Sequence, residues 1–175
     1  MKDKQSASYD RRKYIIIPYN VNWKKLFEEE AQKIKNIFGD ICIEHIGSTS
    51  VEGMAGKPCL DFLIIPKNLD IVIKKITEME NIGYSYAGEY VTKGALLFRK
   101  MKDNTILANV HFFPENHIHI KDMLIVRDYL RSHKEEVEAY SNLKNKLFNK
   151  YPNDYANYRK EKDLYMVELV KRAAK

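Results

Sequence analysis

One stretch constrains the fold more than any other: Glu44-His45-Ile46-Gly47-Ser48-Thr49, then Gly53, Lys57-Pro58 and the apolar run Leu60-Asp61-Phe62-Leu63-Ile64. Residues 41–46 are β-rich and lead into a Gly-Ser turn, after which Thr49 or Ser50 can cap a short helical segment. Residues 60–65 are predicted to form a fully buried strand, stopped by Pro66. A Gly-containing turn at a helix start can wrap a phosphate with its backbone N–H groups. A carboxylate on a buried strand beside that turn can hold a metal or a polar group. Side chains two apart on a strand share a face. At that distance from Asp61 the chain has Leu63 in place of a second carboxylate.

The remaining periodicity predicts an α+β architecture, a mixed sheet with packed helices and a helical C-terminal layer. Asn22 can cap a helix reaching Phe38, with Trp23, Leu26, Phe27, Ile34, Ile37 and Phe38 on one stripe and Gly39 at its end. A second stripe of Leu69, Val72, Ile76 and Met79 predicts one helix over 69–82. Residues 84–90, 95–100 and 105–113 read as three strands, separated by Lys93-Gly94 and Asp103-Asn104. Helices follow near 120–132, 134–151 and 154–173. Val137, Tyr140, Lys144, Leu147 and Tyr151 form one of their stripes, and Tyr155, Tyr158, Lys162, Tyr165 and Leu169 another. Residues 1–13 are polar and basic and are expected to form a loose arm. Residues 14–175 are expected to form one domain, its sheet-containing half ending near 117 and its helical half starting near 118.

Composition limits the function classes. A 175-residue chain with 45% apolar residues can bury a substantial core. No apolar run approaches the roughly 18 residues of a membrane span. Cys42 and Cys59 read as small buried hydrophobes and not as a disulfide, which suits a cytoplasmic protein. The formal net charge of +6 fits phosphate-bearing partners, and ordinary solubility equally well. No nucleic-acid-binding motif accompanies the twelve tyrosines, so nucleic acid is not an expected partner.

Nucleotidyl transfer needs a phosphate cradle and carboxylates that share metal ions. Gly47-Ser48 followed by Asp61 resembles the signature of the DNA polymerase β-like nucleotidyltransferase superfamily, with Leu63 as the departure. The wider string is similar to the GrpB family. It runs through Glu44-His45-Ile46-Gly47-Ser48-Thr49, Gly53, Lys57-Pro58 and Asp61, then Asn109-Val110-His111, Val126-Arg127-Asp128-Tyr129-Leu130-Arg131, Tyr158 and Lys162. Glu52 stands where that family usually has proline, and Asn109 where it usually has the first His of a pair. The resemblance implies a nucleotidyltransferase-like fold.

Taken with the residues, the resemblance gives a set of candidate roles. His45, Gly47, Ser48 and Lys57 are expected on the ligand side, the last three at a phosphate. Asp61 is the candidate catalytic carboxylate. Asn109 and His111 alternate onto one strand face and can meet Asp61 across a sheet. Asp61 with His111 could hold a divalent metal, Mg²⁺ or Mn²⁺, and the Asp/Asn/His set suits a single borderline ion better than two Mg²⁺. A structural ion pair is the alternative for Asp61, a hydrogen-bonded core histidine for His111, and a solvated surface group for Lys57. A zinc site of His111, His117 and His119 has no evident fourth ligand. Tyr158 and Lys162 are expected to close the cleft from the helical side. The expected ligand is a nucleotide or phosphorylated small molecule, with nucleotidyl or phosphoryl transfer as the chemistry. The alternative is a non-catalytic sensing or interaction module.

Overall fold

The computed structural model describes residues 13–175, so the expected N-terminal arm lies outside the described residues except for Lys13. Helix α1 spans Asn22–Phe38. Its first turn is held by Asn20, whose side chain accepts from the Asn22 N–H at 2.9 Å, and not by Asn22 itself. Strand β1 (Ile43–Ile46) follows, then a single 3-10 turn (Ser48–Ser50) and β2 (Leu60–Ile64). The helix expected over 69–82 is two short pieces, α2 (Leu69–Ile73) and α3 (Ile76–Asn81). Three consecutive β-branched residues, Ile71-Val72-Ile73, crowd the helix where it breaks. Strands β3 (Tyr84–Gly88), β4 (Leu96–Lys102) and β5 (Thr105–Phe112) match the three predicted strands closely. Helices α4 (Ile118–Ser132), α5 (Lys134–Lys150) and α6 (Tyr155–Ala173) complete the chain.

The five strands form one mixed sheet of order β1-β2-β5-β4-β3. Only β2 and β5 run parallel; the other neighbours are antiparallel. Asp103 and Asn104 both take positive φ in the β4–β5 hairpin, the geometry that a tight two-residue turn requires.

Each face of the sheet has its own partner. Leu60, Phe62 and Ile64 of β2 join Phe98, Val110 and Phe112 against α1, α2 and α3. On the opposite face Ile46, Leu63, Ala95 and Phe113 pack with Ile120, Met123 and Leu124 of α4. A strand covered on both sides reads as an unbroken apolar run, which is why β2 is so uniform. A further cluster, including Val51, Met54, Val126, Tyr140 and Leu169, joins the three C-terminal helices to the loop after the 3-10 turn. Among the described residues no helix is long and apolar enough to cross a membrane. Cys59 is buried as expected, whereas Cys42 is exposed near the outer end of edge strand β1, beyond the cover of α1.

Leu63 is completely buried under α4. The place where a second strand carboxylate would stand is therefore filled with hydrocarbon. Leu63→Asp is expected to cost about 4 kcal/mol, since it would bury a further carboxylate against α4 hydrocarbon and between Asp61 and Glu44 on one sheet face. That corresponds to a fall in melting temperature of roughly 8–16 °C for a domain of this size. Thermal denaturation measures it, and a fall under two degrees would show that α4 does not seal the position.

Candidate functional site

The site forms where β2 meets the turn that precedes it. Pairing β1 with β2 sets Ile46 opposite Asp61, so Gly47 leaves the strand directly over the carboxylate. Gly47 has φ of +73°, and a β-carbon there would stand 2.6 Å from Asp61 Oδ2. Both the backbone conformation and the space thus call for glycine. Gly56 plays the same steric part on the far side of the turn, where a β-carbon would lie 2.6 Å from that of Ser48.

The expected helix start after the turn is reduced to one 3-10 turn with no side-chain cap. Ser50 N–H donates to the Gly47 carbonyl at 3.1 Å, and Ser50 Oγ donates to the same oxygen at 2.7 Å. Thr49 is buried and donates to the Cys59 carbonyl at 3.3 Å, tying the turn to the foot of β2. Positive charge reaches this turn from α5. Lys144 is only 2% exposed, and its Nζ donates to Ser48 Oγ at 2.9 Å while lying 4.3 Å from the centre of the Tyr140 ring. Burial pushes its ammonium down to about 7, and the nearby charges of Lys162 and Lys57 push the same way.

Asp61 keeps 29% side-chain exposure. Its Oδ1 accepts from Asn109 Nδ2 at 2.8 Å, as the β2–β5 register requires. His111 Nε2 lies 3.8 Å from the same oxygen, beyond hydrogen-bond length. Burial alone would raise the Asp61 carboxyl, but His111, Asn109 and Lys57 outweigh it and hold it below the ordinary carboxylate range. The anticipated Asp/Asn/His cluster is thus assembled on one sheet face.

The other candidates separate. His45 pairs with Phe62 and so points to the opposite face, where its ring stacks on Phe27 at 4.1 Å. Burial pushes its imidazole down to about 4; Asp61 opposes that shift, while Arg131 and Arg127 reinforce it. It lines a different, larger cavity of about 1040 Å³ between α1 and α4–α5, together with Thr49, Arg131 and Ser141. Lys57 Nζ donates to the Tyr155 hydroxyl at 2.7 Å. Tyr158 is sealed at 1% exposure in an aromatic cluster with Tyr14 and Tyr155, so it supports the wall and does not form the cleft surface. Lys162 Nζ donates to Asp163 at 2.7 Å at the edge of the helical layer. His117 is spent on the first turn of α4, accepting from the His119 N–H, and no group of three His, Cys, Asp or Glu suited to a metal occurs among the described residues.

Two features escaped the sequence reading. Lys144 sits on an apolar stripe as plainly as Lys162 does, and that was the available signal. Arg127 clasps β1 from α4, donating to Glu44 Oε2 at 2.5 Å and to the His45 carbonyl at 3.3 Å; nothing local in the sequence announces that pairing.

A lysine buried on a hydroxyl and not on a carboxylate opposes folding while it is charged. Between about pH 7 and its unfolded value near 10.4 the unfolded chain holds the proton and the folded chain does not. Stability gains from this group as pH rises through that window and is flat below it. Lys144→Met is expected to raise the melting temperature at pH 7 by roughly 2–4 °C and to flatten the alkaline slope. Melting curves at pH 7 and pH 9 measure both; a variant that melts lower at pH 7 would reverse the assignment.

The comparisons with known proteins bear on this geometry. Residues 13–172 match the GrpB protein family. UPF0157 protein YqkA of Bacillus subtilis (strain 168) is 36% identical over 157 residues, which is 89% of this chain and 46% of that protein, so the chain spans about half of that relative. The glutamate-rich protein GrpB of Alkalihalophilus pseudofirmus is 29% identical over 167 residues, 89% of this chain and 93% of that one. The crystal structure of conserved protein GrpB from Enterococcus faecalis has a TM-score of 0.85 at 35% identity, covering 91% of this chain and 96% of that one. The Cid1 poly(U) polymerase has a TM-score of 0.54 at 11% identity, covering 83% of this chain and 46% of that one, a likeness of fold alone. With the family match covering residues 13–172 and relatives above 30% identity matching the same span, this chain belongs to the GrpB family.

Proposed function

We propose that the cleft over Asp61 binds a nucleotide or another phosphorylated small molecule, with its phosphate at Gly47-Ser48. The observation that carries this is Lys144, a nearly inaccessible ammonium on the Ser48 hydroxyl with no carboxylate among its hydrogen-bond and ion-pair partners in the described residues. Such a charge is costly to bury and gains most from an anion arriving at the same hydroxyl. Lys57 and Lys162 add to the positive field there, since both charges act on Lys144. Asp61, Asn109 and His111 then face the part of the ligand nearest the phosphate. The exposed free thiol of Cys42 suits the reducing cytoplasm in which such ligands are made.

The donor set does not fit a pair of metal ions. Asp61 is the one carboxylate on β2, one of its oxygens is engaged by Asn109, the position two further along is Leu63 under α4, and Glu44 on β1 is held by Arg127. Asp61 and His111 are the side chains that would hold one divalent ion, Mg²⁺ or Mn²⁺, arriving with the ligand's phosphates. Nucleotidyl or phosphoryl transfer in this cleft would depend on positioning, with Asp61 as the carboxylate next to the reacting group. Burial of Leu63 favours a second reading, a module that binds the same ligand without turning it over.

Equilibrium titration with ATP and with UTP tests the binding. Ser48→Ala and Lys144→Met are each expected to weaken the better ligand by about tenfold or more, while Lys162→Ala weakens it less and leaves the melting temperature within about a degree. Unchanged affinity in both of the first two variants would remove the phosphate assignment. Turnover of nucleoside triphosphates with Mg²⁺ or Mn²⁺, lost in Asp61→Asn, would support transfer; binding without turnover in either protein would support the module.

A further inference from the structure

A cleft of about 240 Å³ opens from Ser48 and Asp61 into the junction between the sheet and the three C-terminal helices. Its walls are Met54, Met123, Val126, Tyr140, Met166 and Val170. These side chains come from the loop before β2 and from α4, α5 and α6, so no single element shapes the space. Three are methionines, whose unbranched side chains adapt to the outline of an apolar guest.

The polar groups in this space are few. Arg127 lines it, but its guanidinium is engaged by Glu44, Asp128 and the His45 carbonyl. Asp122 lines it and has no hydrogen-bond or ion-pair partner among the described residues. Ser48 and Asp61 stand where the cleft meets the Gly-Ser turn. Two hydroxyl donors remain, Ser48, whose oxygen accepts from Lys144, and Tyr140, whose hydroxyl has no hydrogen-bond partner among the described residues. The rest of the wall is hydrocarbon, so a nucleobase, with its several ring nitrogens, carbonyl oxygens and amino groups, would leave most of its polar atoms unpaired on burial.

We propose that the ligand's body is apolar: the cleft takes the aromatic or branched-alkyl portion of a phosphate monoester whose phosphate lies at Gly47-Ser48. This rests on the phosphate reading of that turn and narrows it to a substrate class. The volume sets the size, since it falls below the roughly 300–1,000 Å³ of sites for drug-sized ligands and suits one or two fused rings. Asp122 would accept from a single hydroxyl or amine on that body. Specificity comes from shape and from the largely hydrocarbon wall, so an ester with a polar body of similar length is excluded by the desolvation its groups would suffer.

Calorimetric titration of the full chain with 1-naphthyl phosphate, glycerol 3-phosphate, 1-naphthol and inorganic pyrophosphate tests this. The naphthyl ester is expected to bind at least ten times more tightly than glycerol 3-phosphate. Met166→Trp and, separately, Met123→Phe fill the cleft; each is expected to erase that difference and to abolish binding of 1-naphthol, leaving pyrophosphate affinity unchanged. Melting curves show whether each variant is folded. Equal affinity of the two esters, or a naphthyl preference that survives both filled variants, overturns the proposal. Naphthol binding that Met166→Trp abolishes, with no pyrophosphate binding by the native chain, upholds the apolar cleft and removes the phosphate reading instead.

Discussion

Asp61 and Gly47 touch because β1 and β2 are paired in one register, and much of the site follows from that contact. The carboxylate occupies the space a side chain at Gly47 would need. Any other residue at Gly47 would push the turn off the strand, and Ser48 with it. Asn109 fixes the other oxygen from the parallel neighbour β5. Asp61 is thus bounded on one side by the Gly47 backbone and held on the other by the Asn109 amide, while His111 and Lys57 help to keep it charged. A buried carboxylate without such support would take up a proton.

The helical layer makes two different contributions to this arrangement. Near β1 it closes the sheet: Ile120, Met123 and Leu124 cover Leu63, while Arg127 ties α4 to Glu44 and the His45 carbonyl. Near the turn it brings charge, through Lys144 of α5 on Ser48. The first contribution stabilises the fold. The second works against it, because Lys144 has lost most of its hydration and its neighbours Lys57 and Lys162 repel it. Groups that are costly to the fold and gathered around one turn are the pattern expected where a ligand provides the compensation. His45 shows the contrast. It is half-buried and shifted, yet it stacks on Phe27 across the sheet from Asp61 and meets the turn through Thr49 Oγ1 at 2.9 Å.

Much of the fold was legible in the sequence because its signals are local. Three strands with two turn pairs, a helix ending at Gly39 and three C-terminal helices follow from periodicity and turn residues. Asn109 and His111 were placed beside Asp61 by alternation, and the register bears out that neighbourhood. The differences have separate causes. The side of a sheet on which a residue ends up depends on its strand neighbour, so His45 looked like part of the ligand site from its nearness to Gly47 in the chain. Tyr158 and Lys162 looked equivalent on their stripe, but Tyr158 is enclosed by Tyr14 and Tyr155, whereas Lys162 reaches the edge. The β-branched run Ile71-Val72-Ile73 marks the helix break locally, although the apolar stripe runs straight through it.

By itself the sequence determined that a Gly-Ser turn follows one strand and that Asp61 stands on the next, because the apolar runs and turn residues that mark them are local signals. It also determined that the position two beyond Asp61 carries Leu63 and not a carboxylate. Only the tertiary structure decided what covers that position and what surrounds the turn: α4 hydrocarbon over Leu63, the Lys144 ammonium on Ser48, and a methionine-lined cleft beside Asp61. Those neighbours come from helices some sixty to one hundred residues further along the chain. Their approach is set by packing between layers, for which a linear pattern carries no distance.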